Sequence, residues 1–180
     1  MNEVYRAQLA GVTLLTTLFE IGSHQRQTMA LLFPFQRRRR SMMDKLHAVV
    51  AEDDMIIRLD AAQILEDAGF KALQARDADA ALALIAEREG QIHVLFTDVQ
   101  MAAGSMNGFQ LALKVAQSWS HIRIVVASGN MKPKAGDLPD QARFINKPFS
   151  AQLVHSVLKE MLPEEEMPMQ LKQKPVASSP

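Results

Sequence analysis

The sequence contains no cysteine, which excludes disulfide bonds, thiolate metal sites and cysteine nucleophiles. This absence is typical of a cytoplasmic protein, and cytoplasmic is our expectation. No apolar run is long enough to span a bilayer, because the stretch from Val12 to Phe19 is short and ends at Glu20. That stretch also lacks the basic flank and the small-residue cleavage site of a secretory signal. We therefore expect no membrane span.

The chain has no net charge, but its charges are unevenly distributed. Residues 1–43 carry six Lys/Arg against two Asp/Glu, whereas residues 44–162 carry twelve against fifteen. The acidic central part argues against a broad nucleic-acid surface. The basic segment 1–43 is open to two interpretations: a contact with anionic lipid or nucleic acid, and a poorly ordered extension. We favour the second, because Met42 and Met43 offer an alternative start just before the regular pattern.

From Leu46 onward, short apolar runs alternate with apolar residues at helical spacing. The runs predict strands at His47–Ala51, Phe70–Ala75, Ile92–Thr97, Ile122–Ala127 and Ala142–Ile145. Helices are predicted up to a C-cap at Gly69, from an N-cap at Asp77 to Arg88, from Phe109 to Trp119 and from Phe149 to Leu162. Repeated strand–helix alternation predicts a doubly wound α/β fold with a parallel sheet over residues 44–162. An acidic triplet and several prolines predict a disordered tail at residues 163–180.

Polar residues stand at the ends of four predicted strands. Glu52 and Asp53 follow the first strand, Asp98 the third, Ser128 the fourth and Lys147 the fifth. Right-handed crossovers place the carboxyl ends of all strands at one edge of the sheet, where such folds bind ligands. Converging carboxylates repel unless a cation shares them, and a set of oxygen ligands favours Mg²⁺. The pattern therefore predicts a magnesium site at this edge.

This combination indicates phosphoryl transfer, in which positioning and charge stabilisation supply most of the catalysis. Asp98 would accept the phosphoryl group as an acyl phosphate, and Lys147 and Ser128 would neutralise and hydrogen-bond it. Asp is also common at strand-end turns and helix N-caps. We assign Asp54 as the N-cap of the first helix. We give Asp98 the reactive role because the acidic pair Glu52–Asp53 is predicted to lie at the same edge of the sheet.

Four stretches together resemble the response-regulator receiver domains of two-component signalling. They are Val49–Asp54, Leu65–Phe70, Phe96–Val99 and Phe144–Phe149. The resemblance covers about residues 45–162, and it rests on the order and spacing of these stretches. It implies a flavodoxin-like fold, a five-stranded parallel sheet of strand order 2-1-3-4-5.

The resemblance also implies the chemistry of the site. Asp98 would receive its phosphoryl group from a histidine kinase or a histidine phosphotransfer protein. Glu52, Asp53, Asp98 and the backbone carbonyl of Gln100 would hold Mg²⁺. Such a protein is not an enzyme acting on separate substrates, since it catalyses at most its own phosphorylation and dephosphorylation.

The same resemblance assigns a switch. Ser128 would be the switch hydroxyl, Phe144 the switch aromatic residue and Lys147 the phosphate-binding lysine. The peptide bond between Lys147 and Pro148 is expected to be cis. Phosphorylation would change a surface near the fifth strand, which an unidentified protein target reads.

Three departures from the receiver pattern concern the loops. Met101–Ala102 replaces the usual Met-Pro, and Gly108 stands two residues later than usual, so this loop is longer. Pro133 and Pro139 interrupt the segment after Ser128, so the fourth helix should be reduced. That helix belongs to the usual output face, and we therefore expect an unusual output.

These observations favour a stand-alone response regulator, a phosphorylation switch or phosphate sink, since residues 163–180 are too few for an output domain. Two alternatives stay open. One is a binding module on the same fold that works without phosphorylation. The other is an aspartyl-phosphate hydrolase, against which Gln100 counts because such enzymes place an acidic residue there.

Overall fold

The computed structural model describes residues 46–101 and 106–173. The predicted basic extension (residues 1–43) and Ala102 lie outside the described residues, as do residues 174–180 of the predicted tail.

Five strands form one all-parallel sheet in the order β2-β1-β3-β4-β5. They are β1 (His47–Ala51), β2 (Lys71–Ala75), β3 (Ile92–Asp98), β4 (Arg123–Ser128) and β5 (Ala142–Asn146). This confirms the predicted doubly wound, flavodoxin-like fold. The three central strands are almost continuously apolar because helices cover both faces of the sheet.

The described residues contain five α-helices. They are α1 (Met55–Asp67), α2 (Ala78–Glu87), α3 (Gly108–Ser118), α4 (Ala151–Met161) and the short α5 (Met169–Gln173). Side chains of α1 and α4 pack into a core cluster on one face of the sheet, with Leu65 and Leu158 fully buried. Side chains of α2 and α3 pack on the other face, with Ile85 and Leu111 fully buried.

Helix starts follow the predicted capping chemistry. The carboxylate of Asp54 accepts hydrogen bonds from the amides of Ile56 (2.8 Å) and Ile57 (3.1 Å), so Asp54 is the N-cap of α1. Asp77 caps α2 by accepting from the amide of Ala80 at 2.7 Å. Gly69 directly follows the last turn of α1 with φ of +99°, a conformation that glycine adopts without strain.

The connection between β4 and β5 differs from the other crossovers. Residues 129–141 are all described, and they form turns and bends without any helix. The sequence predicted a reduced helix here, whereas these residues contain no helix at all. Pro133 and Pro139 each remove a backbone donor, and a local turn forms instead, in which the amide of Lys134 donates to Asp137 Oδ2 at 2.7 Å.

The prediction of a disordered tail from residue 163 is wrong for its first part. Residues Glu164–Glu166 form a 3₁₀ turn, and α5 follows. Leu171 of α5 is fully buried in the core cluster of α1 and α4, against which Met167 also packs. The chain passes so close to Gly69 that a Cβ there would lie 2.8 Å from Pro168 Cβ. Composition suggested disorder, but apolar residues four apart supply enough burial to dock the segment.

Among the described residues, no helix is both long enough and apolar enough to cross a membrane.

Replacing Leu171 with alanine tests whether α5 is part of the folded core. We expect Leu171→Ala to lower the free energy of unfolding by about 3 kcal/mol, because it empties a buried leucine site. Met169→Ala on the same helix is the control, since Met169 is 59% exposed, and it should change stability by less than about 0.5 kcal/mol. Urea unfolding of both variants gives the comparison. Equal effects would contradict the docking of α5.

Candidate functional site

Four of the site residues chosen from the sequence meet at the carboxyl edge of the sheet. Glu52 and Asp53 directly follow β1, Asp98 is the last residue of β3, and Lys147 directly follows β5. Glu52 and Asp98 are almost fully buried, whereas Asp53 is exposed. Two of the three carboxylates are therefore buried and the third is exposed, and Asp53 lies just before the N-terminus of α1.

The ammonium group of Lys147 joins the two buried carboxylates. Lys147 Nζ lies 2.6 Å from Glu52 Oε2 and 2.9 Å from Asp98 Oδ1. Both contacts are charge-assisted hydrogen bonds, which are the strong class. Lys147 is placed at this edge by β5, which pairs with β4. The peptide bond between Lys147 and Pro148 is cis, as predicted.

This arrangement shifts the pKa values of two groups. Burial raises the pKa of Glu52 above its ordinary value of 4.5, the negative charge of Asp98 adds to the rise, and the hydrogen bond from Lys147 offsets part of it. Burial by itself would lower the pKa of Lys147, but the hydrogen bonds and charges of Glu52 and Asp98 raise it above 10.5. Lys147 therefore carries its full charge at neutral pH.

The carboxylates fit a divalent cation. Glu52, Asp53 and Asp98 each offer an oxygen, and these oxygens lie within 4.8 Å of one another. The single ammonium group of Lys147 balances only part of the charge of three carboxylates. The cluster therefore keeps a net negative charge. Mg²⁺ prefers a few carboxylates together with waters and phosphate oxygens. Gln100, whose carbonyl was the fourth predicted ligand, is exposed two residues after Asp98.

The two predicted switch residues lie on neighbouring strands. Ser128 ends β4 and is buried, with its Oγ accepting a hydrogen bond from the amide of Met131 at 3.2 Å. Phe144 on β5 is partly buried, packs against the core cluster of α2 and α3, and pairs with Val126. Since side chains alternate along a strand, Ser128 and Phe144 point to the same face of the sheet.

Two residues that hold the backbone of Asp98 were not chosen from the sequence. Thr97 is fully buried, and its hydroxyl donates to the carbonyl oxygen of Asp98 at 2.8 Å. Gly108, noted only for its late position, donates its amide to the carbonyl of Val99 at 3.0 Å. A Cβ on Gly108 would collide with the carbonyl oxygen of Asp98. The sequence offered two signals for these residues: a hydroxyl residue in a strand predicted to be buried, and a glycine at the start of a predicted helix.

Comparison with known proteins matches the part of the chain that forms the sheet and the site. Residues 48–159 match the family described as the response regulator receiver domain. The chain is 33% identical to the nitrogen assimilation regulatory protein NtrX of Azorhizobium caulinodans over 106 residues, which are 57% of this chain and 23% of NtrX. It is 26% identical to the sensor kinase CckA of Brucella abortus over 121 residues, which are 66% of this chain and 13% of CckA.

The chain thus spans less than a quarter of the length of each of these relatives. Among solved structures, a response regulator receiver protein from Sinorhizobium medicae WSM419 is similar, with a TM-score of 0.62 and 22% identity. That similarity covers 69% of this chain and 99% of the other. At 22% identity, this similarity supports the assignment of the fold alone.

Replacing Gly108 with alanine tests the close approach of α3 to Asp98. Because the added methyl group meets backbone atoms that have little room to move, we expect Gly108→Ala to destabilise the fold by about 2 kcal/mol or more. Gly129→Ala is the matched control, since its nearest neighbour would be Lys147 Cβ at 4.0 Å. Urea unfolding measures both. A Gly108→Ala variant as stable as Gly129→Ala would refute the close approach.

Replacing Lys147 with methionine tests the ion pairs and their pH dependence. Lys147→Met leaves Glu52 and Asp98 without their cation, so we expect a loss of about 3 kcal/mol at pH 7. Because the folded pKa of Lys147 is raised above 10.5, its stabilisation is fully present below that pH and is lost as the pH rises through the raised value. The loss should also shrink in acid, where the two carboxylates become protonated.

Chemical unfolding of wild type and Lys147→Met across the pH range measures this difference directly. Lys132→Met is the control, because Lys132 is exposed in the connection between β4 and β5. It should change stability little at any pH. A Lys147→Met loss that stays constant from neutral pH to well above 10.5 would contradict the assigned ion pairs.

Proposed function

Since this chain belongs to the family of response regulator receiver domains, we propose that it is a stand-alone response regulator with Asp98 as its phosphoacceptor. The observation that carries the proposal is the shared environment of Asp98. Its Oδ1 lies 2.9 Å from Lys147 Nζ, and its carboxylate stands with those of Glu52 and Asp53 within 4.8 Å. A nucleophilic carboxylate, a fixed cation and a candidate metal site are the parts that phosphoryl transfer to aspartate requires.

The phosphodonor in this proposal is the phosphohistidine of a kinase or phosphotransfer protein. An oxygen of Asp98 attacks the phosphorus, the bond between phosphorus and the imidazole nitrogen breaks, and the imidazole leaves with the bonding electron pair. Asp98 then carries an acyl phosphate. Lys147 offsets charge on the phosphoryl oxygens throughout, because its ammonium already touches the attacking carboxylate.

Glu52, Asp53, Asp98 and the carbonyl of Gln100 would hold Mg²⁺. When bound, Mg²⁺ neutralises charge on the transferring phosphoryl group. The chain's own part is to keep two of these carboxylates buried and close together, which only a cation makes favourable. The raised pKa of Glu52 reflects this cost.

An exposed apolar surface lies beside the site and suits a protein partner. Met55, Ile56 and Leu59 of α1 are 61%, 75% and 49% exposed. They follow the acidic residues directly, so a partner that packs on them is close to Asp98. Exposed apolar clusters of this kind mark interaction sites more often than isolated apolar residues do.

The response to phosphorylation would begin at Ser128. A phosphoryl group adds about −1.5 to −2 charge, and it would attract the Ser128 hydroxyl away from the amide of Met131. Phe144 shares that face of the sheet, and it would follow into the space that Ser128 vacates. Without a helix in residues 129–141, the surface that changes is β5 and the connection before it. As a phosphate sink, the protein would return the group to a partner or to water.

Phosphorylation of the full 180-residue chain by acetyl phosphate in the presence of Mg²⁺ tests the proposal. We expect intact-mass spectrometry to detect one phosphoryl group, labile to base as an acyl phosphate is, and absent from Asp98→Asn or after chelation of Mg²⁺. Asp60→Asn is the control, because Asp60 is an exposed aspartate of α1, and it should be phosphorylated as wild type is.

An unmodified wild type would refute the proposal and favour a binding module that works without phosphorylation. An adduct that persists in Asp98→Asn would place the phosphoacceptor elsewhere.

A further inference from the structure

One cation beside the site is not used in the chemistry above. Arg58 is the fourth residue of α1. Its Nη1 donates to the carbonyl oxygen of Glu52 at 2.6 Å and to that of Asp53 at 3.2 Å. The guanidinium therefore contacts the backbone of the acidic pair and leaves the carboxylates to other partners. Hydrogen bonds from a charged donor to a carbonyl are stronger than those between neutral groups.

These two carbonyls belong to the short turn that links β1 to α1. The amide of Glu52 is already held by the carbonyl of Ala75 at 3.1 Å, and Asp54 is held by its capping bonds to the start of α1. Arg58 secures the peptide groups between these two anchors. Because the orientation of a peptide group sets the direction of the adjacent Cα–Cβ bonds, Arg58 fixes where the carboxylates of Glu52 and Asp53 point.

We propose that Arg58 is a positioning residue for the cation site. It holds the backbone of Glu52 and Asp53 so that their carboxylates stand together with Asp98 before a divalent cation arrives. The inference rests on the proposed function, since it assigns Arg58 a role toward the same Mg²⁺ site. Residues that orient metal ligands commonly matter for affinity although they do not touch the metal.

Arg58 has two opposite effects on a cation, and their balance makes the proposal testable. Its positive charge repels a bound metal ion, so removing the charge alone would tighten binding. Its hydrogen bonds preorganise the ligands, so removing them alone would weaken binding. Arg58 is partly exposed, and solvent and salt screen its charge, whereas the hydrogen bonds are local. We therefore expect preorganisation to dominate.

Isothermal titration of the full chain with MgCl₂ measures the balance. Arg58→Ala should bind Mg²⁺ about tenfold more weakly than wild type, as for other residues that orient metal ligands. Arg58→Lys, which keeps the charge but reaches less far, should be intermediate. Arg76→Ala is the control for the loss of a positive charge at this edge of the sheet, since Arg76 follows β2, its side chain is 80% exposed and its ion-pair partner is Asp77, outside the cation site.

A second measurement separates positioning from general stability. In phosphorylation by acetyl phosphate, the Mg²⁺ concentration for half-maximal rate should rise about tenfold in Arg58→Ala, with the rate at saturating Mg²⁺ unchanged. Thermal unfolding identifies a variant that does not fold, in which case Arg58→Met, which retains the aliphatic stem, takes its place.

The outcomes distinguish this inference from the function on which it rests. Wild type that binds Mg²⁺, together with an Arg58→Ala variant that binds it equally or more tightly, would overturn the positioning role and leave the proposed function intact. A fall in the saturating rate without any change in Mg²⁺ affinity would overturn it as well. Wild type that binds no Mg²⁺ would overturn both.

Discussion

The structure of the site depends on one ammonium group placed between two buried carboxylates. Glu52 and Asp98 come from different strands and are almost fully buried, so their mutual repulsion would be costly without a cation. Lys147 supplies that cation at 2.6 and 2.9 Å, from a third strand end. In the proposed function, the same ammonium group that offsets this repulsion also offsets the charge of an incoming phosphoryl group. Stability and the proposed chemistry therefore depend on the same contact.

Backbone contacts around the site hold the carboxylates in place. The carbonyl of Asp98 accepts from the Thr97 hydroxyl, and Gly108 brings the start of α3 against it. Arg58 holds the carbonyls of Glu52 and Asp53. Each of these contacts acts on the main chain and involves none of the carboxylate oxygens. Such contacts would preorganise the site for the proposed phosphoryl transfer.

The connection between β4 and β5 has no helix in residues 129–141, and it directly follows Ser128, the proposed switch residue. The amide of Met131, its third residue, donates to Ser128 Oγ. Movement of that hydroxyl would therefore pull on a segment held by turns, which open more readily than a packed helix does. Further toward the C-terminus, α5 adds Leu171 to the core cluster of α1 and α4. The folded unit therefore extends beyond the family match, which ends at residue 159.

Much of this protein follows from sequence alone. Apolar periodicity and the caps Asp54 and Asp77 specify the strands and helices of the parallel sheet, because local patterns determine each element. Parallel topology aligns the strand ends, and it therefore specifies the edge where the site residues meet, namely Glu52, Asp53, Asp98 and Lys147. Only the tertiary structure decided the contact of Lys147 with both carboxylates, the approach of Gly108 to Asp98, the reach of Arg58 and the burial of Leu171. The last three were absent from the sequence-based prediction, because each depends on how segments pack in three dimensions, and residue spacing along the chain does not encode those distances.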